Sequence, residues 1–208
     1  QRSQLSLLQN EPKEALRDLT KAIEFLNKLQ EEGRLDQLVP LSKALTQRAH
    51  LYSLSDQLDL ASSDFARAIK ALEGVPDKDS ARRELAGVYL QKAKGSLEQS
   101  RYLDCIGDAQ QAIGLSEKAH SNWSPQERKL VEAAAKFLSG EANRRNLLLA
   151  PAREQLEAAC GIYYDFVHQH QRIDLLQELA SCYCSLSEVS LMQKRPDTSL
   201  QESKRAFE

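Results

Sequence analysis

The sequence predicts an all-α protein built from stacked helical hairpins. Three observations carry this: glycine and proline are scarce, apolar residues recur three or four positions apart along most of the chain, and small residues return at a nearly constant period. Only 8 glycines and 6 prolines punctuate 208 residues, too few for the turns an all-β chain requires. Apolar residues make up 41% and charged residues 28%, enough apolar side chain to close a core rather than stay disordered.

Taken in order, Leu16, Leu19, Ile23, Leu26 and Leu29 mark one face of a helix over Glu14 to Leu29, with Lys13, Arg17, Asp18, Lys21, Glu24 and Lys28 on the rest. The same reading gives helices over Leu35 to Leu54, Leu58 to Leu72, Ala81 to Leu97, Tyr102 to Leu115, Gln126 to Leu147, Ala152 to Val167, Ile173 to Met192 and Thr198 onward. Ser124, Pro125 and Glu127 form a start signal: a capping hydroxyl, a proline whose missing N–H costs nothing, and a carboxylate three residues after the cap. Pro12, Pro151 and Pro196 open other helices, and Gly74 to Asp79 reads as a turn.

Ala22, Ala68, Ala112, Ala159 and Ala206 are spaced by 46, 44, 47 and 47 residues. Seven positions before each stands another small residue (Ala15, Ala61, Cys105, Ala152, Ser199), and twelve before that a third (Ser3, Ala49, Ala93, Gly140, Ser187). Ala, Ser, Gly and Cys together make up just over a quarter of the chain, so fifteen small residues in fifteen register positions exceed that background. The physical reason is close packing, because a small side chain where two helices cross lets the backbones approach. Repetition means that each hairpin buries its apolar face on the next.

This pattern resembles the tetratricopeptide repeats, in which small residues recur at repeat positions 8, 20 and 27 and a large one at 24. Ala49, Tyr52, Ala61, Phe65 and Ala68 match positions 8, 11, 20, 24 and 27. The family's early tryptophan and closing proline are absent, and position 11 becomes Ser96, Asn143 and Ser190. Position 24 becomes Ala109 and Ser203, and the units exceed the usual length of about 34 residues. The resemblance implies a right-handed α-solenoid: a single array with a partial repeat over 1–31, repeats over about 35–75, 79–119 and 124–170, and a truncated repeat over 172–208. Gln1 stands where an initiator methionine is rarely trimmed, so the chain reads as a piece of a longer protein.

The resemblance also implies function, since the first helix of each hairpin in that family lines a binding groove. Carried over, its groove positions fall on Lys43, Thr46, His50 and Ser53, then Gly87, Leu90, Lys94 and Leu97. They continue with Ala134, Phe137, Glu141 and Arg144, and with Cys182, Ser185, Glu188 and Leu191. The groove is expected to be basic toward Lys43 and Lys94 and acidic toward Glu141 and Glu188, suiting a peptide with apolar anchors and charges of both signs. The equally bland reading makes any one of these a solvated helix face. The family's clamp for chaperone C-terminal carboxylates is disfavoured, because Thr46, His50, Gln91, Ala134 and Leu138 stand where it needs Lys, Asn and Arg.

No motif points to an enzyme. Phosphate loop, His-Glu-x-x-His and Gly-x-Ser-x-Gly are all missing. Cys182 and Cys184, two apart on a helix, cannot chelate one ion, and His168 with His170 reads as a helix-end pair, so no metal or cofactor is expected. The 28 basic and 30 acidic residues leave a formal charge of −2, without the basic excess that nucleic acid demands. No run approaches the roughly 20 apolar residues of a membrane span and no signal peptide opens the chain, so the expected compartment is the cytoplasm and the four cysteines are expected to be reduced. The leading expectation is a scaffold that binds a protein or peptide through groove or edge. The alternative is a regulatory segment that docks on a catalytic domain of a larger signalling protein.

One hairpin tip stands out. Where other tips read Ser55-Asp56-Gln57-Leu58, Gln99-Ser100-Arg101-Tyr102 and Lys194-Arg195-Pro196-Asp197, the fourth reads Asn146-Leu147-Leu148-Leu149. Either the preceding helix runs on and these leucines pack against the adjoining hairpin, or they form an exposed patch beside Arg144 and Arg145 that serves as an interaction or self-association edge.

Overall fold

A computed structural model describes residues 12–118 and 123–206. Nine α-helices occupy them, without a strand among the described residues: α1 Pro12–Glu31, α2 Leu38–Leu54, α3 Leu58–Glu73, α4 Lys78–Glu98, α5 Tyr102–Glu117, α6 Pro125–Arg145, α7 Leu149–His168, α8 Leu176–Met192 and α9 Pro196–Arg205. Two 3₁₀ turns, Leu35–Gln37 and Ile173–Leu175, precede α2 and α8. No helix among the described residues is long and apolar enough to cross a membrane.

Local chemistry sets the ends. Ser124 caps α6 as expected, its hydroxyl accepting from the Glu127 N–H at 3.1 Å while the Glu127 carboxylate accepts from the Ser124 N–H at 3.0 Å. α4 starts at Lys78, three residues before the expected Ala81, because the Asp77 carboxylate accepts from the N–H groups of Asp79 and Ser80. The helices α2, α4, α6 and α8 all stop in one way: Asp56, Ser100, Leu147 and Lys194 adopt φ near +60°. The next N–H then returns five residues, from Gln57 to the Tyr52 carbonyl, Arg101 to Ser96, Leu148 to Asn143 and Arg195 to Ser190, at 2.8 to 2.9 Å. This is the left-handed helix cap that glycine usually supplies, built here without any glycine. It ends α6 at Arg145 rather than at the expected Leu147.

Each helix packs on the next. In addition the backbones of α2 and α4, α4 and α6, and α6 and α8 come close, whereas those of α3, α5, α7 and α9 do not approach one another. Burial follows the small-residue register. Ala15, Ala49, Ala61, Ala68, Ala93, Cys105, Ala112, Gly140, Ala152, Ala159, Ser187 and Ser199 are all buried. Ala206 is half-buried, and Ala22 is exposed, a departure from the register; Ser3, the remaining member, lies outside the described residues. At α6 and α7 the approach leaves no room for a methyl group: a Cβ on Gly140 would stand 2.7 Å from Leu156 Cγ and 3.2 Å from the Leu156 backbone nitrogen. Where serines replace alanine, Ser187 Oγ lies 2.8 Å from Ser199 Oγ and 2.7 Å from Ser203 Oγ.

Buried charge ties helices together at the same period. The Arg48 guanidinium donates twice to Asp64, at 2.6 and 2.9 Å, and once to Thr20 Oγ1 at 3.1 Å, joining α1, α2 and α3. Forty-four residues on, Lys92 Nζ donates to Asp108 at 2.7 Å. The next hairpin has Ser139 and Gln155 at these positions and relies on the Gly140 contact instead. At the last, Arg153 donates to Glu202 at 3.1 Å and Gln193 at 3.1 Å, joining α7, α8 and α9.

Two measurements check this account. Gly140→Ala should overpack the α6–α7 crossing and cost about 1 to 3 kcal/mol, whereas Gly87→Ala, with no atom within 4 Å of the added Cβ, should stabilise by up to about 1 kcal/mol through helix propensity. Thermal unfolding of the two variants should therefore shift in opposite directions. Arg48→Ala, which leaves the buried Asp64 carboxylate only the longer contact from Arg67 at 3.4 Å, should cost about 3 kcal/mol, and the double change Arg48→Met with Asp64→Leu should recover most of it.

Candidate binding groove

On α2, Lys43, Thr46 and His50 sit at helical spacing on one face; on α4, Gly87, Gln91 and Lys94 do the same. Because α2 and α4 lie side by side, the two faces meet across a cavity of about 450 Å³ that also takes in Gln47 and Glu84. Lys43 Nζ reaches across it to Glu84 at 3.0 Å. The Thr46 hydroxyl is satisfied, donating to the Ser42 carbonyl at 2.8 Å. His50 is half-buried, and its Nδ1 has no hydrogen-bond partner among the described residues. Burial holds this imidazole below its ordinary pKa of 6.5; nearby Glu98 opposes the effect and Lys94 adds to it.

A second cavity of about 300 Å³ adjoins the first and shares Glu84 and Gly87 with it. It lies between α4 and α6, lined by Arg83, Glu127, Leu130, Val131 and Trp123. Arg83 and Glu127 are ion-paired across it. Trp123 is only 3% exposed, and its indole Nε1 also lacks a partner among the described residues. A buried N–H without an acceptor is costly. A track thus runs across the first helices from His50 to Trp123, with Gly87 at its midpoint.

Other expected groove residues are not brought to this track. Ser53 is buried at the α2–α4 crossing, its Oγ 3.0 Å from where a Gly95 Cβ would be. Leu97 is buried and Leu90 half-buried, both in apolar clusters with Ala93 or Ala86, because their side chains turn toward α5 and α6. Phe137 packs against the C-terminal core. The expected acidic end is neutralised. Glu141 is 5% exposed and accepts from Arg144 at 2.9 and 2.8 Å; Arg144 also pairs with Glu188 at 2.5 Å, and Arg145 with Glu141 at 3.6 Å. Burial opposes ionisation of Glu141, but Arg144, buried Ser185 and Arg145 together hold its carboxyl below the ordinary range. Sequence reasoning also missed Glu84, Glu127 and Trp123 as groove residues; the single tryptophan beside the Ser124 cap was the available signal.

Away from the groove, Cys182 is buried and Cys184 exposed on opposite faces, and the four cysteines are unpaired. Burial pushes the Cys105 thiol up to about 12 and raises those of Cys160 and Cys182 as well, so these are packing groups rather than nucleophiles. His168 and His170 stack on Tyr164 and Phe166 one turn earlier, with ring centroids 4.2 and 5.3 Å apart. At the tip between α6 and α7, Leu147 and Leu148 are 70% and 46% exposed. Leu149, in contrast, is half-buried against the C-terminal core, so it leaves the expected patch.

The lowered His50 pKa gives a pH dependence of definite sign. The unfolded chain binds the His50 proton more tightly, so the stability this residue contributes is complete above pH 6.5 and is lost as pH falls from there through the folded value. An imidazole titration followed by NMR should place His50 below 6.5, and His50→Gln should flatten stability across that window.

No family model matches the chain, and no curated protein is similar to it in sequence.

Proposed function

We propose that the chain is a tetratricopeptide-like solenoid that acts as a protein-binding scaffold, and that it holds an extended peptide along the track from His50 to Trp123. The backbones of the first helices approach one another from hairpin to hairpin while those of the second helices do not. Such packing supports a curved array with the first helices on its inner side, as in a right-handed superhelix. The observation that carries the reading is the space left between the first helices: two adjoining cavities that share Glu84 and Gly87. Side chains of a peptide supply apolar contact for the half-buried Leu130 and Val131. Lys94, exposed beside His50, favours an acidic residue at that end. This is recognition and not catalysis, since the raised thiols carry no nucleophile and the carboxylates Glu84, Glu127 and Glu141 are each committed to a cation.

Panning a random peptide display library on the immobilised protein tests it. Selected peptides should bind the wild type and lose at least about tenfold in affinity, equivalent to about 1.4 kcal/mol, on Gly87→Tyr, which fills the midpoint of the track. Circular dichroism and melting temperature should be nearly unchanged, because Gly87 is exposed and a Cβ there meets nothing. Equal affinity for both proteins would overturn the groove assignment.

A further inference from the structure

The four turns that end α2, α4, α6 and α8 lie on one edge, because these helices pack side by side in the same direction. Six of the fourteen exposed large apolar side chains among the described residues lie there: Leu54, Leu58, Leu103, Leu147, Leu148 and Leu191. Leu103 is 76% and Leu147 70% exposed. A row of leucines rather than one isolated side chain is the mark of an interaction surface.

Charge on this edge is arranged with a direction. The first tip carries Asp56 and Asp59, both exposed and in no ion pair among the described residues. The last carries Lys194 and Arg195, likewise exposed and without an ion pair, with Asp197 nearby. Between them most charge is paired: Arg101 pairs with Asp104 at 3.5 Å, and Arg144 and Arg145 are held by Glu141 and Glu188, with exposed Glu98 the acidic residue left over at the second tip. The edge therefore runs acidic, apolar, basic.

We propose that the occupant of this edge is a second copy of the chain, docked antiparallel. A two-fold axis between the second and third of these tips sets Asp56 and Asp59 against the partner's Lys194 and Arg195, and the reverse, in the isologous pattern that a two-fold dimer requires. The same axis sets Leu103 against the partner's Leu147 and Leu148. A parallel arrangement would oppose acid to acid and base to base. With helices packing about 8 to 10 Å apart, four tips span roughly 30 Å, an interface of the smaller, weaker class. Its charged ends make it salt-sensitive. This edge is distinct from the groove, and the dimer leaves the track from His50 to Trp123 open.

Sedimentation equilibrium over the micromolar range tests the proposal. The wild type should dimerise, with dissociation increasing as salt rises from about 0.05 to 0.5 M. Leu103→Asp with Leu147→Asp should sediment as a monomer. Two charge-reversed variants, Asp56→Lys with Asp59→Lys and Lys194→Glu with Arg195→Glu, should each be monomeric, and their equimolar mixture should form a heterodimer, since both opposed ends regain complementary charge. Lysine already occupies the positive-φ position of the last turn as Lys194, so the turn tolerates Asp56→Lys, and circular dichroism verifies that each variant is folded. A wild type that stays monomeric throughout, a leucine variant that still dimerises, or a mixture that fails to associate would each overturn the proposal.

Discussion

Close approach of the two helices in each hairpin, at Ala49 and Ala61, Ala93 and Cys105, Gly140 and Ala152, and Ser187 and Ser199, governs the rest of the molecule. These positions are buried because their side chains are short, and the short side chains let larger neighbours such as Leu45, Leu72, Leu156 and Val189 close over them. The same approach brings Arg48 within a bidentate bond of Asp64 and Lys92 within reach of Asp108. A buried ion pair costs desolvation, so it is tolerated only where backbone spacing delivers good geometry. The Asp108 pair is the less complete of the two: burial pushes its carboxyl up against the effect of Lys92, and its second oxygen lacks a partner among the described residues.

The hairpins solve one packing problem with different chemistry. Two use an ion pair between their helices, one uses a glycine against leucine, and the last uses serine hydroxyls with Arg153 and Glu202. Interchange of this kind explains why the repeat is visible as side-chain size and hardly visible as residue identity. The turns behave alike. Each demands a left-handed residue at its tip, and aspartate, serine, leucine and lysine all occupy that position, at a steric cost of about 1 to 2 kcal/mol each. Leu147, at this position of its turn, is 70% exposed.

Stacking of the first helices also sets where space is left between side chains. Between α2 and α4 the facing residues are Lys43, His50, Gly87 and Lys94, a set with room between its members. Between α6 and α8 the corresponding space is filled by Arg144 bridging Glu141 and Glu188. The open and filled parts of this first-helix face thus differ by side-chain charge and size on a common backbone.

Helix content, the period of 44 to 47 residues and the capping box at Ser124 were determined by the sequence itself, because each depends on side chains close together along the chain or on a size pattern needing no partner identity. The positions of Lys43, Thr46, His50 and Lys94 on one groove were legible for the same reason. Tertiary structure alone decided which groove positions remain accessible. Ser53 and Leu97 share helices with His50 and Lys94 yet are buried, because burial depends on the crossing angle of a neighbour that no local spacing encodes. It also decided that Glu141 is neutralised rather than acidic, that Trp123 closes the second cavity, and that Leu147 and Leu148 face solvent. Each of these follows from contacts between residues distant in sequence or from a backbone dihedral that the residue type does not favour.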